Sequence, residues 1–458
     1  MIDIKSDSRK VQKGDTFIAI RNVARDGHDY IESAIENGAT KIICEEGSYP
    51  VETVIVEDTR KYLEEYLYKN YYPKIKDLRL IGVTGTSGKT TTCYLTYQML
   101  NKLGLKTAYI GTIGFYYGDV KKALNNTTPD VDLLYEMLLE AKENDCKCVV
   151  MEVSSHALDL NRIYGLEFDE VAFTNISQDH LDYHKTIENY IKAKKILFTK
   201  TRNEKIAIIN KDDKHYKEFV NENNHNILIG KEDADVKIED YTLSHLYTKF
   251  KFSYEGKSYE TKIKMVCEFN IYNYLMALML TSKAGFDIKD VIDITDKISP
   301  PEGRMEMIVD NTNSIFVDYA HKPDAEEKVL EMAKAIKKGR IITIIGCGGD
   351  RDKTKRPIMG EIAVRLSDHV IFTDDNPRTE DPKQIINDIV KDLKGDNFEI
   401  VYGRDKAIKK GVLSLKENDI LLILGKGHEN YQIIGTEKRH FSDKEEVLKA
   451  LKEKNNGY

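Results

Sequence analysis

No stretch of this chain stays apolar for the roughly 20 residues that a membrane-spanning helix needs, and the opening Met1–Arg9 is polar and charged, without the apolar core of a secretory signal. The expectation is a cytoplasmic chain with no membrane insertion. Cysteine is sparse. The six are Cys44, Cys93, Cys146, Cys148, Cys267 and Cys347, and no two form a Cys-x-x-Cys pair. Cys146 and Cys148 fall on or beside a strand read as buried. Both points argue against a zinc site or a disulfide framework and for reduced thiols packed as small apolar residues. Basic excess is missing too. Net charge is -7 and the pI about 6.0, which argues against a broad nucleic-acid footprint. Internal repeats and low-complexity linkers are absent, so domain boundaries have to come from changes in pattern.

What is present reads as an ordinary globular α/β protein, 458 residues long, 41% hydrophobic and 32% charged. At about 100–200 residues per domain, two to four domains are expected. Residues 1–78 carry short strands at Thr16–Ile20 and Lys41–Cys44 and a helix around Asp29–Asn37, stopped by Gly38. From Arg79 apolar runs of strand length alternate with helical periods. Leu80–Thr84, Thr107–Gly111, Cys148–Val153, Val171–Asn175 and Ile206–Asn210 read as buried strands; Asp132–Asn144 and Ile187–Phe198 read as amphipathic helices. That alternation predicts a mostly parallel sheet covered on both faces. Val236–Met265 reads as a small antiparallel appendage and Phe269–Ala284 as a helix. A third α/β unit begins near Pro300–Pro301, with strands at Ile315–Tyr319, Ile341–Gly346, Val370–Thr373 and Ile420–Leu424 and helix starts at Pro323 and at Asp381–Pro382. The reading is three domains: a small N-terminal α/β domain (1–78), a central phosphate-loop parallel sheet (79–299) and a C-terminal Rossmann-like α/β domain (300–458).

The strongest motif is Thr84-Gly85-Thr86-Ser87-Gly88-Lys89-Thr90, set between a buried strand and a helix that Gly104 ends. Glycines let the backbone aim N–H groups at phosphate oxygens, and the helix N-terminus adds partial positive charge. Lys89 reaches terminal phosphates and the Thr90 hydroxyl suits Mg²⁺. The spacing departs from G-x-x-x-x-G-K-[ST], because Val83 stands where the first glycine belongs and Gly82 is one residue early.

Polar clusters follow several other strands. Glu152 ends one and precedes Ser154-Ser155-His156; a carboxylate there suits a hard cation. Thr174-Asn175 and Asp179-His180-Leu181-Asp182-Tyr183-His184 follow the next. Tyr190, Lys194 and Phe198 share a helix face, and on residue physics alone Lys194 reads as a solvated lysine whose stem covers apolar surface. Arg304, in Pro300-Pro301-Glu302-Gly303-Arg304, reads as either a phosphate contact or a surface arginine. Arg351, Asp375, Asn376, Arg378 and Glu429 sit at three successive strand ends. Arginine suits a carboxylate and Asp or Glu an ammonium, so together they suit a zwitterionic amino acid.

The ordered series resembles the Mur ligases over nearly the whole chain. It comprises Asp7-Ser8-Arg9, Asp26-Gly27-His28, the Thr-Gly-Thr-x-Gly-Lys-Thr loop, Asn126-Thr127-Thr128-Pro129, Met151-Glu152-Val153-Ser154-Ser155-His156, Asp179-His180-Leu181-Asp182, Gly303-Arg304, Asp318-Tyr319-Ala320-His321 and Asp375-Asn376-Pro377-Arg378. It also accounts for the loop spacing. The resemblance implies that the first domain binds a UDP-sugar, the second ATP and the third an amino acid. It places Ser8, Arg9 and His28 toward the UDP end, and Thr127, Thr128, Ser155 and Arg162 at the muramoyl-peptide end. ATP is assigned to Gly85, Thr86, Ser87, Gly88, Lys89, Thr90, Thr91, Asn175, Asn270, Asn273, Arg304, Asp318 and His321. Lys89, Glu152, His180, Lys194 and Arg304 are implied as catalytic. Lys194 matches a lysine that is carbamylated in the family; as a carbamate it would join Thr90, Glu152 and His180 around Mg²⁺. Arg351, Asp375, Asn376, Pro377, Arg378, Gly425 and Glu429 match the amino-acid pocket, and the Asp-Asn-Pro-Arg tetrad implies meso-diaminopimelate. The implied reaction is ATP-dependent extension of UDP-N-acetylmuramoyl-L-Ala-D-Glu through an acyl phosphate, by a monomer. Alternatives are a lysine-adding ligase, a folate-extending one, or a nucleotide-binding paralogue without ligase activity. Three features depart from the family pattern: Cys267-Glu268 in place of a glycine before the Asn270 helix, Lys322 before Pro323, and a short N-terminus.

Overall fold

The computed structural model describes residues 2–21 and 26–455. The chain forms two compact units, Met1–Lys237 with Tyr272–Ile294, and Ile238–Ile271 with Thr295–Tyr458.

The first unit opens with four parallel strands in chain order, Ile4–Lys5, Thr16–Ile18, Lys41–Cys44 and Glu52–Ile55. The expected helix over Asp29–Asn37 is a 3-10 turn, Gly27–Tyr30, running into a shorter α-helix, Ile31–Glu36. Gly38 follows with φ +107°, a left-handed stop that glycine adopts without steric cost. Arg79–Thr84 forms the centre of the larger sheet. It pairs in parallel with Cys148–Glu152 on one side and Phe168–Phe173 on the other. Thr107–Gly111 extends one flank; Thr201–Asn210 and His225–Gly230 extend the other, all parallel. Each central strand is buried along nearly its whole length, which is why it reads as an unbroken apolar run rather than an alternating one. Register sets Thr84 beside Phe173 and Val83 beside Glu152. Three polar segments therefore leave the same sheet edge together: Gly85–Thr90, Val153–His156 and Thr174–Ile176.

The second unit holds an antiparallel hairpin, Thr248–Tyr254 with Lys257–Ile263, and a six-stranded sheet. Its strand order is Glu306–Asp310, Asn313–Asp318, Ile420–Leu424, Ile341–Ile345, His369–Phe372, Phe398–Ile400, parallel except for the first pair. The four apolar strands match the sequence reading. The two edge strands are only partly buried and lack that signature. Helices Pro323–Ile336 and Pro382–Val390 start at the expected prolines, and the Asp381 carboxylate accepts from Lys383 N at 3.0 Å as the N-cap. Cys267, standing where the resemblance places glycine, keeps a glycine-like backbone with φ +85°, a strain of about 1–2 kcal/mol, and the helix Glu268–Lys283 still forms.

Beneath the carboxyl ends of this sheet lies a buried ion pair. Arg404 Nε donates to Asp443 Oδ1 at 2.7 Å and its Nη2 to both Asp443 Oδ2 (2.8 Å) and the Leu424 carbonyl (3.0 Å). Neither side chain is exposed. Asp443→Ala would strand a buried guanidinium, so it is expected to destabilise this unit by about 3–5 kcal/mol in urea denaturation; a change under about 1 kcal/mol would contradict the pairing.

Candidate active site

The site in the first unit is built on the phosphate loop. Gly85 has φ +148°, and a Cβ there would meet Thr174 Oγ1 at 1.9 Å; Gly88 has φ +85°, with Asn273 Oδ1 2.5 Å from its Cβ position. Neither position admits a side chain. The neighbouring strand end clamps the loop. Thr86 N donates to the Asn175 carbonyl (2.8 Å), Ser87 N to Asn175 Oδ1 (3.1 Å), and Thr174 Oγ1 to the Ser87 carbonyl (2.6 Å). Asn175 and Asn273 thus lie against the loop. Thr91 is half-buried on the first turn of helix Lys89–Lys102.

Glu152 is wholly buried. Its carboxylate accepts from Tyr109 OH (2.5 Å), Thr112 N (2.9 Å), Thr112 Oγ1 (3.1 Å) and Thr90 Oγ1 (2.9 Å). Four donors from three elements fix both oxygens. Thr112 Oγ1 also lies 3.1 Å from Thr127 Oγ1, while Thr128 Oγ1 donates to the Glu152 carbonyl at 2.8 Å. Arg162 donates to the Thr128 carbonyl at 2.9 Å and lies 2.9 Å from Asp130. Ser155 Oγ is 2.9 Å from His184 Nε2. The phosphate loop and the Thr127–Thr128 segment are therefore joined through one carboxylate. Tyr109 and Thr112, which hold it, did not emerge from the sequence; a tyrosine in an otherwise apolar strand was the available signal, since a buried phenol needs a partner.

Lys194 corrects the solvated-lysine reading. Only 1% of it is exposed, and its Nζ donates to the Gly85 carbonyl at 2.8 Å. Lys89 Nζ donates to the same carbonyl at 2.8 Å. Burial, then the charge of Lys89, holds the Lys194 ammonium well below the usual lysine range, against a smaller opposing pull from Asp179. A neutral amine carries a lone pair. His180 is more exposed, packs edge-on to His156 at 4.7 Å, and lies 3.4 Å from Asp179. Among the described residues no group of three or more His, Cys, Asp or Glu side chains converges on a metal position. The candidate Mg²⁺ donors are instead the Thr90 hydroxyl and Glu152 carboxylate, hard oxygens that fit that ion.

A cavity of about 550 Å³ lies in the same unit, lined by Ser8, Arg9, Tyr30, Arg60, Asp130 and Asp132 among others. Ser8 and Arg9, which the resemblance assigns to the UDP end, are among the lining residues. His28 does not line it. Its Nδ1 lies 2.6 Å from Asp26 Oδ1 and its Nε2 accepts from Glu45 N at 2.9 Å, so the ring braces the turn.

In the second unit Asp318 accepts from Met305 N (2.7 Å) and Ala320 N (2.8 Å), and burial raises its pKa against the opposing charge of Arg304. The Arg304 guanidinium lies 5.0 Å from the Tyr319 ring centre, and its buried Nε has no hydrogen-bond partner. His321 Nδ1 lies 2.8 Å from the Tyr319 carbonyl. His428 faces the same ring, and burial, then Arg304, lowers its pKa to about 4, leaving a neutral imidazole. Asn270 is buried and donates to the Val266 carbonyl at 2.7 Å.

The amino-acid candidates converge at three strand ends. Asn376 Nδ2 donates to Glu429 Oε2 at 2.8 Å, and the unexposed Lys426 bridges Asn376 Oδ1 (3.2 Å) and Glu429 Oε2 (3.1 Å). Asp375 Oδ2 lies 2.9 Å from the Cβ position of Gly425. Arg378 donates to the Gly349 carbonyl at 2.8 Å, preceded by Pro377; Arg351 is exposed beside Gly348. Lys426 was not picked from the sequence, although its Gly-Lys-Gly-His-Glu run was.

A phosphate loop with a buried carboxylate on one unit, and a charged pocket on a Rossmann-like sheet in the other, define a nucleotide-using ligase. The chain belongs to the Mur ligase family. Three family models match in succession: "Mur ligase family, catalytic domain" over residues 3–81, "Mur ligase middle domain" over 83–281, and "Mur ligase, glutamate ligase domain" over 303–427. It is 45% identical to UDP-N-acetylmuramoyl-L-alanyl-D-glutamate--2,6-diaminopimelate ligase 1 of Clostridium acetobutylicum, over 98% of this chain and 95% of that one. It is 38% identical to the Bacillus cereus diaminopimelate ligase, over 98% and 93%. A solved diaminopimelate ligase superposes with TM-score 0.73 at 32% identity, covering 99% of this chain and 95% of its own. The Thermotoga maritima MurF ligase, solved with ADP, shares the fold at TM-score 0.66 and 20% identity, over 99% and 97%. Among the described residues no helix is long and apolar enough to cross a membrane.

The Lys194 amine binds fewer protons folded than unfolded. Its cost to stability vanishes above the ordinary value of 10.5 and grows as pH falls toward the folded value. Lys194→Met removes that cost. In CO₂-free buffer the variant is expected to be more stable than wild type at pH 7 by at least about 1 kcal/mol, with the gap narrowing toward pH 10. A variant no more stable at pH 7 would contradict the burial argument.

Proposed function

We propose that this chain is an ATP-dependent amide ligase that adds meso-diaminopimelate to UDP-N-acetylmuramoyl-L-Ala-D-Glu in peptidoglycan precursor synthesis. The reading assigns the UDP-sugar to residues 1–78, ATP to 79–299 and the amino acid to 300–458. It rests on the one observation that a buried carboxylate, Glu152, ties the phosphate loop through Thr90 to the Thr127–Thr128 segment through Thr112. Phosphoryl donor and acceptor carboxylate then meet around one fixed point, which is what acyl-phosphate formation requires. The names of the relatives point to the same substrates.

Loop N–H groups and Lys89 take the ATP phosphates, with Arg304 as a further cation for the charge that develops in transfer. Thr127, Thr128, Ser155 and Arg162 orient the precursor so that its free carboxylate faces the γ-phosphorus. The carboxylate oxygen bonds to that phosphorus as the bond to ADP breaks. The amine of the amino acid then attacks the acyl carbon, its proton is lost, and phosphate leaves. Thr90 and Glu152 would hold Mg²⁺, which when bound draws charge from the transferring group. The Lys194 amine, whose burial favours the uncharged form, is suited to add CO₂, forming a carbamate and releasing one proton; that carbamate and His180 would offer further donors.

For the amino acid, Glu429 and Asp375 face an ammonium and Arg378 and Arg351 a carboxylate. Diaminopimelate carries a carboxylate more than lysine does, so a pocket with two arginines favours it. Purified protein with ATP, Mg²⁺ and the UDP-dipeptide is expected to release phosphate only with meso-diaminopimelate, with a matching mass gain on the precursor. Turnover with L-lysine in its place would keep the ligase and discard the assignment of Arg378. No turnover with either would favour a paralogue without ligase activity.

A further inference from the structure

Two adjacent glycines in the loop after strand Ile341–Ile345 lack side chains for different reasons. A Cβ on Gly349 would stand 1.9 Å from the Pro377 carbonyl oxygen and 2.8 Å from its carbon, so backbone packs against backbone there. A Cβ on Gly348 would first meet a side chain, the terminal nitrogen of the Arg378 guanidinium at 2.9 Å; Arg351 Cγ and the Asn376 carbonyl follow at 3.7 and 3.8 Å. Gly348 also lies outside the left-handed region. Its backbone therefore gives no reason for glycine, and the only close neighbour is the end of a flexible side chain.

That side chain is otherwise pinned. Arg378 has φ +50°, uncommon for a residue with a Cβ. Its N–H donates to the Ile433 carbonyl at 3.0 Å and its own carbonyl accepts from Gly435 N at 2.7 Å, tying it to the hairpin Tyr431–Ile434 with Glu437–His440. Its guanidinium donates to the Gly349 carbonyl at 2.8 Å. Arg378 is thus strapped by its backbone at one end, with its guanidinium seated on the glycine pair at the other.

We propose that Gly348 is a specificity-determining position: its missing side chain is the seat that aims Arg378 at the extra carboxylate of a diamino diacid. The inference rests on the proposed function. Gly348 touches no substrate in it and acts through Arg378, so it is a positioning residue. A methyl group there pushes the guanidinium off its seat and leaves the loop backbone as it is. Gly349→Ala, by contrast, collides with backbone and is expected to disrupt the loop.

The experiment is steady-state kinetics on the full chain as wild type, Gly348→Ala, Arg378→Ala and the double variant, with thermal denaturation of each. For Gly348→Ala the expected result is a KM for meso-diaminopimelate raised about 10-fold to 100-fold, the range for displacing a charge-assisted contact. Its kcat, KM for ATP, KM for the UDP-dipeptide and Tm should stay close to wild type. The double variant should be no worse than Arg378→Ala alone, because both changes remove one interaction. If wild type and Arg378→Ala behave as the proposed function requires but Gly348→Ala keeps the wild-type KM, the inference is overturned and the function stands. Additive losses in the double variant, or a Gly348→Ala loss confined to Tm and kcat, would overturn it equally. If Arg378→Ala itself leaves the KM unchanged, the reading of the pocket fails first and takes the inference with it.

Discussion

A buried carboxylate without a neighbouring cation is costly unless every lone pair is met. Glu152 is met by four donors, and those donors tell the chain how to arrange the site. Tyr109 and Thr112 come from the strand beside it and the turn after that strand; Thr90 comes from the phosphate loop. Glu152 also crowds Gly111, whose Cβ position lies 2.3 Å from its Oε1. Remove the carboxylate and three hydroxyls and one N–H lose an acceptor. The loop, the strand end and the Thr127 segment are held in register by this one group.

The central sheet was legible because its strands are buried on both faces and therefore read as apolar runs; Thr107–Gly111 and Ile420–Leu424 match to the residue. Elements that are half-wet and short, such as Phe398–Ile400 and the hairpin Tyr431–His440, carry no comparable pattern and went unread. The phosphate loop was legible because glycine is required at φ +148° and +85° whatever the context. Lys194 was misread from its surroundings for the opposite reason. Its neighbours Lys192 and Lys195 are genuinely outward, and nothing local says that the face they flank turns inward onto Gly85. His28 fits its motif, yet its ring is spent on Asp26 and Glu45.

The second unit solves a different problem, that of holding both signs of charge at one sheet edge. The Arg404–Asp443 pair is sealed beneath it, and Lys426 ties Asn376 to Glu429 above. Glu429, which faces the pocket, is thus fixed by a buried lysine that does not. Burial lowers the pKa of both His428 and His321, so the cationic character of that corner comes from Arg304 and from Lys355, whose ammonium donates to the His321 carbonyl at 2.6 Å. Cys267 shows how far backbone geometry is retained: a thiol-bearing residue takes a left-handed φ so that the Asn270 helix can begin where it does.

Carboxylate activation is the claim on which the account turns, and the fate of one oxygen tests it. The UDP-dipeptide is prepared with ¹⁸O in both free carboxylates of its D-Glu residue and turned over with ATP, Mg²⁺ and meso-diaminopimelate in ordinary water. Phosphate released should carry one ¹⁸O per molecule, transferred when the acyl phosphate breaks at carbon. Phosphate without label, its fourth oxygen drawn from solvent, would mean that ATP is hydrolysed directly and that the carboxylate is never phosphorylated.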